Sequence, residues 1–220
     1  MNNRTDKSSC RRCGTCCKKG GPAFHRRDRA IIDKGAIQLK HLTTIREGEP
    51  AWDNVSGGVL PAPTDIIRIK SRPGGRTCVF YDEEAAACSV YTHRAAECRA
   101  LDCRDTLEIE SLYDKDRLTR KDLLEKVPWL WELVEDHQQR CSYGLVLPLA
   151  AEVRDKARAE ALEELLYLVR YDLHLRQLVV EKGGVDAGML DFLFGGPLTE
   201  TLKSLGVKIR QEAGKLVAGV

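Results

Sequence analysis

The sequence predicts an α+β protein, in which a cysteine-rich half with a small antiparallel sheet precedes a mainly α-helical half. Eight of the 9 cysteines fall in two blocks before residue 104. Short apolar runs separated by Gly and Pro lie between these blocks, which is typical of strands and turns. From about residue 119, apolar residues recur at helical spacing. We therefore expect a disordered lead-in (1–9), a cysteine-cluster domain (10–110) and a helical region packed on it (119–220).

The first elements of the cysteine-rich half are a short helix and a strand. Asp28 can cap a helix from about residue 29 to 34, which Gly35 ends. Residues 36–46 alternate loosely between apolar and polar, as in a strand or hairpin arm. Residues 54–63 are rich in Gly and Pro, and we expect them to form a loop.

The second cysteine block lies on expected strands and a helix. Residues 65–70 read as a strand, and residues 77–81 and 88–91 as two strands that pair in a small antiparallel sheet. Thr92 is the expected N-cap of the helix that follows. This helix is expected to end near residues 98–99.

The helical half begins with Thr119, which resembles the start of a capping box with Asp122 in place of the usual Glu. Pro128 is expected to break or restart the helix. Residues 152–182 form the longest periodic run; as one helix it would span ~45 Å, so we expect a bend. Asp186 can cap a short helix through residue 194, and residues 199–205 are expected to form another helical turn or two.

Composition argues against several classes of protein. The net charge is only +2, which argues against a nucleic-acid-binding protein. The chain has no run of 18 uncharged apolar residues and no apolar segment in residues 1–9, so we expect neither a membrane helix nor a signal peptide. The expected location is therefore cytoplasmic. In a reducing compartment the 9 cysteines are better explained as metal ligands than as disulfides.

The two cysteine blocks predict a metal-binding domain in residues 10–110. The spacing Cys10-x2-Cys13-x2-Cys16 is that of the first three ligands in bacterial ferredoxins, whereas zinc sites more often join two Cys-x2-Cys pairs. Either a 4Fe-4S cluster or zinc remains open. Adjacent side chains diverge, so Cys16 and Cys17 are not expected to face the same ion. The candidate ligands are Cys10, Cys13, Cys16, Cys17, Cys78, Cys88, Cys98 and Cys103.

Residues beside the cysteines can contribute to such a site. Gly14 stands where the backbone must turn tightly around a ligand atom. Arg94 and Arg99 flank Cys98, and we expect them to bind the cofactor as donors to sulfur. Cys141 has no neighbouring thiol and is better explained as a buried residue.

Four ordered motifs resemble a known family. They are Cys-x2-Cys-Gly-x-Cys-Cys, then Cys78-Val-Phe-Tyr-Asp, then Cys88-Ser-Val-Tyr-x-x-Arg94, then Cys98-Arg99. Together they resemble the bacterial and archaeal cysteine-cluster family that is described by a zinc- or iron-chelating domain, over residues 10–104. Flagellin lysine-N-methylase is similar in its cysteine pattern. The resemblance implies metal binding, and family members are commonly labelled iron–sulfur proteins or oxidoreductases. This chain has Ala95 where the family usually has Pro.

Three functions follow as alternatives. The first is an iron–sulfur protein that transfers electrons or assists a redox protein, with a protein partner of unknown identity. The second is a zinc-stabilised interaction module. The third is a metal-dependent protein-modifying enzyme, such as a lysine methylase, which the resemblance alone suggests. No Gly-rich strand–loop–helix stands in the sequence to hold S-adenosylmethionine or a dinucleotide.

Overall fold

The computed structural model describes residues 10–212 and 215–219, so the predicted lead-in 1–9 lies outside the described residues. The α+β class is confirmed, because small antiparallel sheets lie mostly in the first half and helices dominate the second. The α-helices of the described residues are α1 (Arg29–Asp33), α2 (Ala96–Ala100), α3 (Leu107–Glu110), α4 (Arg120–Leu124), α5 (Pro128–Arg140), α6 (Tyr143–Lys156), α7 (Ala159–Glu181), α8 (Leu190–Phe194) and α9 (Leu198–Ser204). Short 3-10 helices cover Cys17–Lys19, Arg26–Asp28, Leu39–His41, Tyr91–His93 and Ala187–Met189.

The strands of the described residues are β1 (Leu42–Ile45), β2 (Pro50–Asp53), β3 (Gly58–Pro61), β4 (Ile66–Ile69), β5 (Tyr81–Asp82), β6 (Ala87–Cys88), β7 (Lys208–Glu212) and β8 (Lys215–Gly219). They form antiparallel pairs: β1 with β4, β2 with β3, β5 with β6, and β7 with β8. Leu42 lies opposite Ile69 in the first pair, and both are buried.

The expected loop at residues 54–63 is wrong, because β2 and β3 form a hairpin there. Trp52 lies opposite Val59, and such cross-strand pairs stabilise a sheet. The Asp53 carboxylate accepts hydrogen bonds from the backbone N–H groups of Val55 and Ser56, which closes the turn. The Gly and Pro residues that suggested a loop therefore stand in the turn and at the strand ends.

The hairpin that carries Cys88 is shorter than expected. Only β5 and β6, two residues each, replace the strands expected at 77–81 and 88–91. The next helix also starts later than expected: α2 begins at Ala96, with Ala95 rather than Thr92 at its N-cap. The carboxylate of Asp28 accepts a hydrogen bond of 2.9 Å from the Ala96 backbone N–H. The cap is thus supplied from a distant part of the chain, which a local pattern cannot reveal.

The helical half has the predicted helix starts at Thr119 and Pro128, with one correction to the predicted helices. The side chain of Thr119 accepts from the Asp122 backbone N–H, which completes the capping box, and Pro128 is the first residue of α5. The run at 152–182 is two helices rather than one bent helix. Ala157 adopts a left-handed conformation with φ 47°, which ends α6, and α7 packs back on α6. The hairpin of β7 and β8 was not predicted.

Two hydrophobic cores hold these elements together. The first takes residues from both halves of the chain, from Phe24 through Tyr81 to Phe194. The second lies among α6, α7 and α9 and includes Cys141. Within the described residues, no helix combines the length and the hydrophobicity that a membrane crossing needs.

A buried ion pair also joins the two halves. The guanidinium of Arg120 on α4 binds both carboxylate oxygens of Asp65, at 2.6 and 3.0 Å. A further N–H of Arg120 donates to the backbone carbonyl of Leu193 at 2.6 Å. Such a bidentate pair fixes the orientation of α4 relative to the strand region, and it leaves few of the donors of this buried cation without partners.

Candidate metal centre

The first cysteine block folds as a tight turn. Gly14 has φ 74°, and its backbone carbonyl accepts a 2.9 Å hydrogen bond from the Lys18 N–H. A side chain at Gly14 would place its Cβ 2.0 Å from the hydroxyl oxygen of Tyr81. Glycine is therefore required twice, for its positive φ and for the close approach of Tyr81. The predicted tight turn at Gly14 is present, and Gly14 also packs the first block against Tyr81 of the second.

The two cysteine blocks meet through the backbone. The N–H of Cys78 donates a 2.8 Å hydrogen bond to the carbonyl of Cys17. Tyr81 pairs with Cys88 across β5 and β6. On the other side, the guanidinium of Arg12 lies 5.0 Å from the centre of the Tyr91 ring. Residues 61 positions apart (Cys17 and Cys78) and 79 positions apart (Arg12 and Tyr91) are thus held close together.

The thiols of the two blocks differ in burial. Cys78 is buried, Cys16, Cys17, Cys88 and Cys98 are partly buried, and Cys10, Cys13 and Cys103 are exposed. Within residues 10–212 and 215–219, all cysteines are free thiols, and no three His, Cys, Asp or Glu side chains converge into a group that could hold a metal ion. The backbones of the two cysteine blocks therefore lie together, whereas the sulfur atoms do not point at a common centre.

The partly buried thiols influence one another electrostatically. Burial, together with the neighbouring thiols of Cys16, Cys78 and Cys88, raises the pKa of Cys17 to about 12, and burial is the largest cause. Burial also raises the pKa of Cys98, with added contributions from Cys78 and three other cysteines. Each thiolate thus disfavours ionisation of the next, because like charges repel in a medium that solvates them poorly.

Cys16 is coupled to Cys17 and also to two exposed thiols. Burial raises the pKa of Cys16, a hydrogen bond with the Cys17 thiol acts to lower it, and the thiols of Cys10 and Cys103 act to raise it. On the exposed side, hydrogen bonding to Thr15 lowers the pKa of Cys13, whose sulfur lies 3.4 Å from the Thr15 hydroxyl. Cys13 is accordingly easier to ionise than the partly buried Cys17.

The two predicted cofactor-binding arginines bind other groups here. The Arg94 guanidinium lies over the Tyr91 ring at 3.8 Å, and its Nε donates to the Tyr91 carbonyl at 3.0 Å. Arg99 donates to the backbone carbonyl of Arg94 and to the carboxylate of Asp28, the latter at 3.2 Å. Both cations therefore fix the backbone around Cys98. Their role as donors to sulfur stays a prediction.

Two other arginines, which were not predicted, carry charges that act on Cys78. The positive charges of Arg68 and Arg72 favour the thiolate of Cys78 and so act to lower its pKa, although burial outweighs them and the pKa is raised. Arg72 also donates to the carbonyl of Tyr81 at 2.5 Å, which places it beside β5. The available signal was the alternation in β4, where Ile67 and Ile69 are buried and Arg68 faces the opposite side.

His25 and Cys141 have other partners. His25 is buried, with Nδ1 2.7 Å from the Lys115 carbonyl and Nε2 3.3 Å from a carboxylate oxygen of Glu97. The hydrogen bond to Glu97 raises the pKa of His25. Cys141 is fully buried in the second core, with its sulfur 3.9 Å from the Leu168 carbonyl. These contacts place Cys141 in the second core and join His25 to α2, the helix that carries Cys98.

The chemistry of this donor set fits a thiophilic metal. Thiolate ligands select zinc and iron–sulfur clusters over magnesium or calcium. Several thiols also sit where burial and mutual repulsion oppose their ionisation, a combination that a bound cation relieves. The residues that would hold the metal are the eight cysteines of the two blocks, and the metal would supply either redox capacity or a structural cross-link.

Comparison with known proteins bears on this donor set. Neither the curated proteins nor the solved structures yield a match. A family model named CxxCxxCC and described as "Putative zinc- or iron-chelating domain" matches residues 9–127. The match covers more than half of the chain and includes all eight cysteines of the two blocks. The chain belongs to this CxxCxxCC family of zinc- or iron-chelating domains.

Proposed function

We propose that the cysteine-rich half holds an iron–sulfur cluster and that the protein transfers electrons or assists a redox partner. The ligands are drawn from Cys10, Cys13, Cys16, Cys17, Cys78, Cys88, Cys98 and Cys103. The observation that carries the proposal is the hydrogen bond between the Cys78 N–H and the Cys17 carbonyl. It holds the backbone of one cysteine from each block side by side, and a cluster with ligands from distant segments requires such segments to meet.

With the backbones of the two blocks already together, metal binding would require rotation of the cysteine side chains. Cysteine has a single χ1 angle with three staggered positions, so a sulfur atom can turn towards a metal without movement of the main chain. The charges of Arg68 and Arg72, which favour the thiolate of Cys78, would offset part of the negative charge of a thiolate-bound centre.

The exposed side of the site supports contact with another protein. Cys10, Cys13 and Cys103 are exposed, and so are the neighbouring cations Arg11 and Arg12. A redox centre exchanges electrons only when a partner approaches it closely. A basic rim would favour a partner with an acidic surface, because complementary charge speeds the encounter.

The test is anaerobic purification followed by a visible spectrum and by analysis of iron and acid-labile sulfide. The proposal expects a brown protein with sulfur-to-iron charge-transfer absorption and with iron and sulfide in comparable amounts. Cys141→Ser is the matched control, since its thiol is equally a cysteine but lies in the second core. A colourless protein with stoichiometric zinc would contradict the iron–sulfur assignment.

A zinc-stabilised module is the second candidate, and the burial of Cys78 favours it. Structural zinc sites are closed to solvent and hold four protein ligands. This alternative predicts that a chelator removes zinc and unfolds the cysteine-rich half, because metal binding and folding are linked. An unchanged melting transition after complete metal removal would count against it.

A further inference from the structure

We propose that Asp28 is the positioning residue of Cys98: its buried carboxylate holds α2 where Cys98 can serve as a metal ligand, and Asp28 acts without touching the metal. This inference rests on the proposed metal-binding function and names a residue outside the eight cysteines on which that function depends. Asp28 stands 11 positions after Cys17 and 70 positions before Cys98. It therefore links the segment that follows the first cysteine block to the helix of the second.

The helix that carries Cys98 depends on contacts with other segments. α2 has five residues, Ala96–Ala100, and a helix of this length is unstable in water by itself. Its N-cap is Ala95, whose side chain has no atom that accepts a hydrogen bond. The place of Cys98, in the middle of α2, is therefore set by the groups that bind this short helix from outside.

Asp28 binds α2 on both sides of Cys98. One carboxylate oxygen accepts hydrogen bonds from the Ala96 backbone N–H at 2.9 Å and from the Arg99 guanidinium at 3.2 Å. The other oxygen accepts from the His25 backbone N–H at 3.1 Å. The Asp28 side chain is fully buried. Its removal would leave a buried backbone N–H at the start of α2 without an acceptor, which is unfavourable.

The segment that carries Asp28 is itself fixed between two others. The N–H of Phe24 donates to the carbonyl of Ile67 on β4 at 2.8 Å, and the carbonyl of Phe24 accepts from the Leu118 N–H at 3.1 Å. The Phe24 side chain is fully buried in the first core. Asp28 is therefore a fixed point against which α2 is placed.

Glu97 makes the reciprocal contact from α2. Its carboxylate accepts from the Ala23 backbone N–H at 2.7 Å and from a guanidinium N–H of Arg117 at 3.2 Å, and it lies 3.3 Å from Nε2 of His25. The positions directly before and after Cys98 are thus both tied to neighbouring segments. The Cys98 thiol takes no part in these contacts, so it stays available as a ligand.

The experiment measures two rates on the full chain, purified without oxygen. The first is the alkylation of each cysteine by iodoacetamide, located by peptide mass spectrometry. The second is the removal of bound iron and zinc by excess EDTA. The variants are Asp28→Ala, which removes the cap and the ion pair, and Asp28→Asn, whose side-chain oxygen can still accept from the Ala96 N–H. Cys141, buried in the second core, reports global unfolding within each sample.

Asp172→Ala is the matched control. Asp172 is also a fully buried carboxylate, and it binds Arg176 at 2.9 Å and the N–H of Leu198, the first residue of α9, at 3.1 Å. α9 carries no cysteine. Loss of this buried carboxylate in a chain that keeps its circular dichroism should leave the alkylation of Cys98 and the removal of metal unchanged.

Asp28→Ala should raise the alkylation rate of Cys98 and the rate of metal removal about fivefold, the effect of losing one helix cap, with Cys141 unchanged. Asp28→Asn should raise both by about twofold, because it keeps the cap and loses only the ion pair with the half-exposed Arg99.

The proposal is overturned if Asp28→Ala leaves the alkylation of Cys98 unchanged, or if Cys98 and Cys141 become reactive together. It is also overturned if a folded Asp172→Ala speeds both rates as much. If Asp28→Ala fails to fold, Asp28→Asn decides: a rise confined to Cys98 and to metal removal supports the proposal, and no rise overturns it.

Failure of this inference and failure of the proposed function give different results. Iron that Asp28→Ala releases at the unmodified rate would keep the iron–sulfur function and end the inference. A colourless protein that loses zinc faster in Asp28→Ala would keep the inference and end the iron–sulfur function. A chain that holds neither metal would end the proposed function, and selective alkylation of Cys98 in Asp28→Ala would then still show that Asp28 places this residue.

Discussion

Replacement of Gly14 by alanine tests how closely the first cysteine block is seated on the second. The new Cβ would lie 2.0 Å from the hydroxyl oxygen and 2.4 Å from the adjacent ring carbon of Tyr81, a buried residue of the first core. The left-handed backbone at φ 74° adds strain of roughly 1–2 kcal/mol for a residue with a side chain. Overpacking against a buried ring adds about 1–3 kcal/mol.

Gly35→Ala is the matched control for this prediction. Gly35 has φ 70°, so it carries the same backbone strain, but an added Cβ there meets nothing within 4 Å. The difference between the two variants therefore isolates the contact with Tyr81, about 1–3 kcal/mol in the free energy of unfolding. For a slope near 2 kcal/mol/M, this difference corresponds to roughly 0.5–1.5 M in the urea midpoint.

The assay is urea unfolding of each variant, followed by circular dichroism, with the metal content of each sample measured beside it. Metal content matters because loss of a ligand that binds only the folded state lowers stability by itself. Equal losses for Gly14→Ala and Gly35→Ala would refute the close packing of Gly14 on Tyr81. A second change, Tyr81→Phe, should recover part of the difference, since it removes the nearest clashing atom.

Three further predictions concern the helical half. His137 is buried and its pKa is lowered to about 4, mainly by burial, so between pH 6.5 and 4 the unfolded chain binds the proton and the folded chain does not. Stability should fall as the pH drops through this window, by at most about 1.4 kcal/mol per pH unit, and His137→Gln should flatten the slope of urea midpoints against pH; an unchanged slope would contradict it. Asp172 is buried and binds His137, Arg176 and the Leu198 N–H, at 2.7, 2.9 and 3.1 Å. Asp172→Ala should cost about 3–5 kcal/mol in thermal or urea unfolding, whereas the exposed Asp155→Ala should change stability by less than about 0.5 kcal/mol; similar losses would contradict the buried network. Thr119→Ala removes the cap of α4 and should cost about 1 kcal/mol, measured in the same way, while an unchanged midpoint would count against the capping box.

Features with a local cause were predictable from the sequence. The capping box at Thr119, the restart at Pro128 and the cap at Asp186, whose side chain accepts from the Gly188 N–H, all depend on residues within a few positions. The same holds for Gly14, where the tight turn was expected from glycine alone. The sequence could not show that Tyr81 limits the space at Gly14, because Tyr81 is far away in the chain.

Features with a distant cause were missed. The start of α2 depends on the Asp28 carboxylate, and the same carboxylate binds Arg99, which was expected to face sulfur. Arg68 stands ten residues before Cys78, so no spacing in the sequence indicates that its charge acts on that thiol. In each case a contact between segments decided the outcome.

The most direct test of convergence between the two cysteine blocks is the X-ray absorption fine structure of the metal in anaerobically purified protein. We predict a first shell made of sulfur alone, at about 2.3 Å from the metal. Serine at Cys10 or at Cys78 should each alter that shell, since both blocks contribute ligands. A first shell of oxygen and nitrogen, or a sulfur shell that depends on one block only, would contradict the convergence of the two blocks on metal.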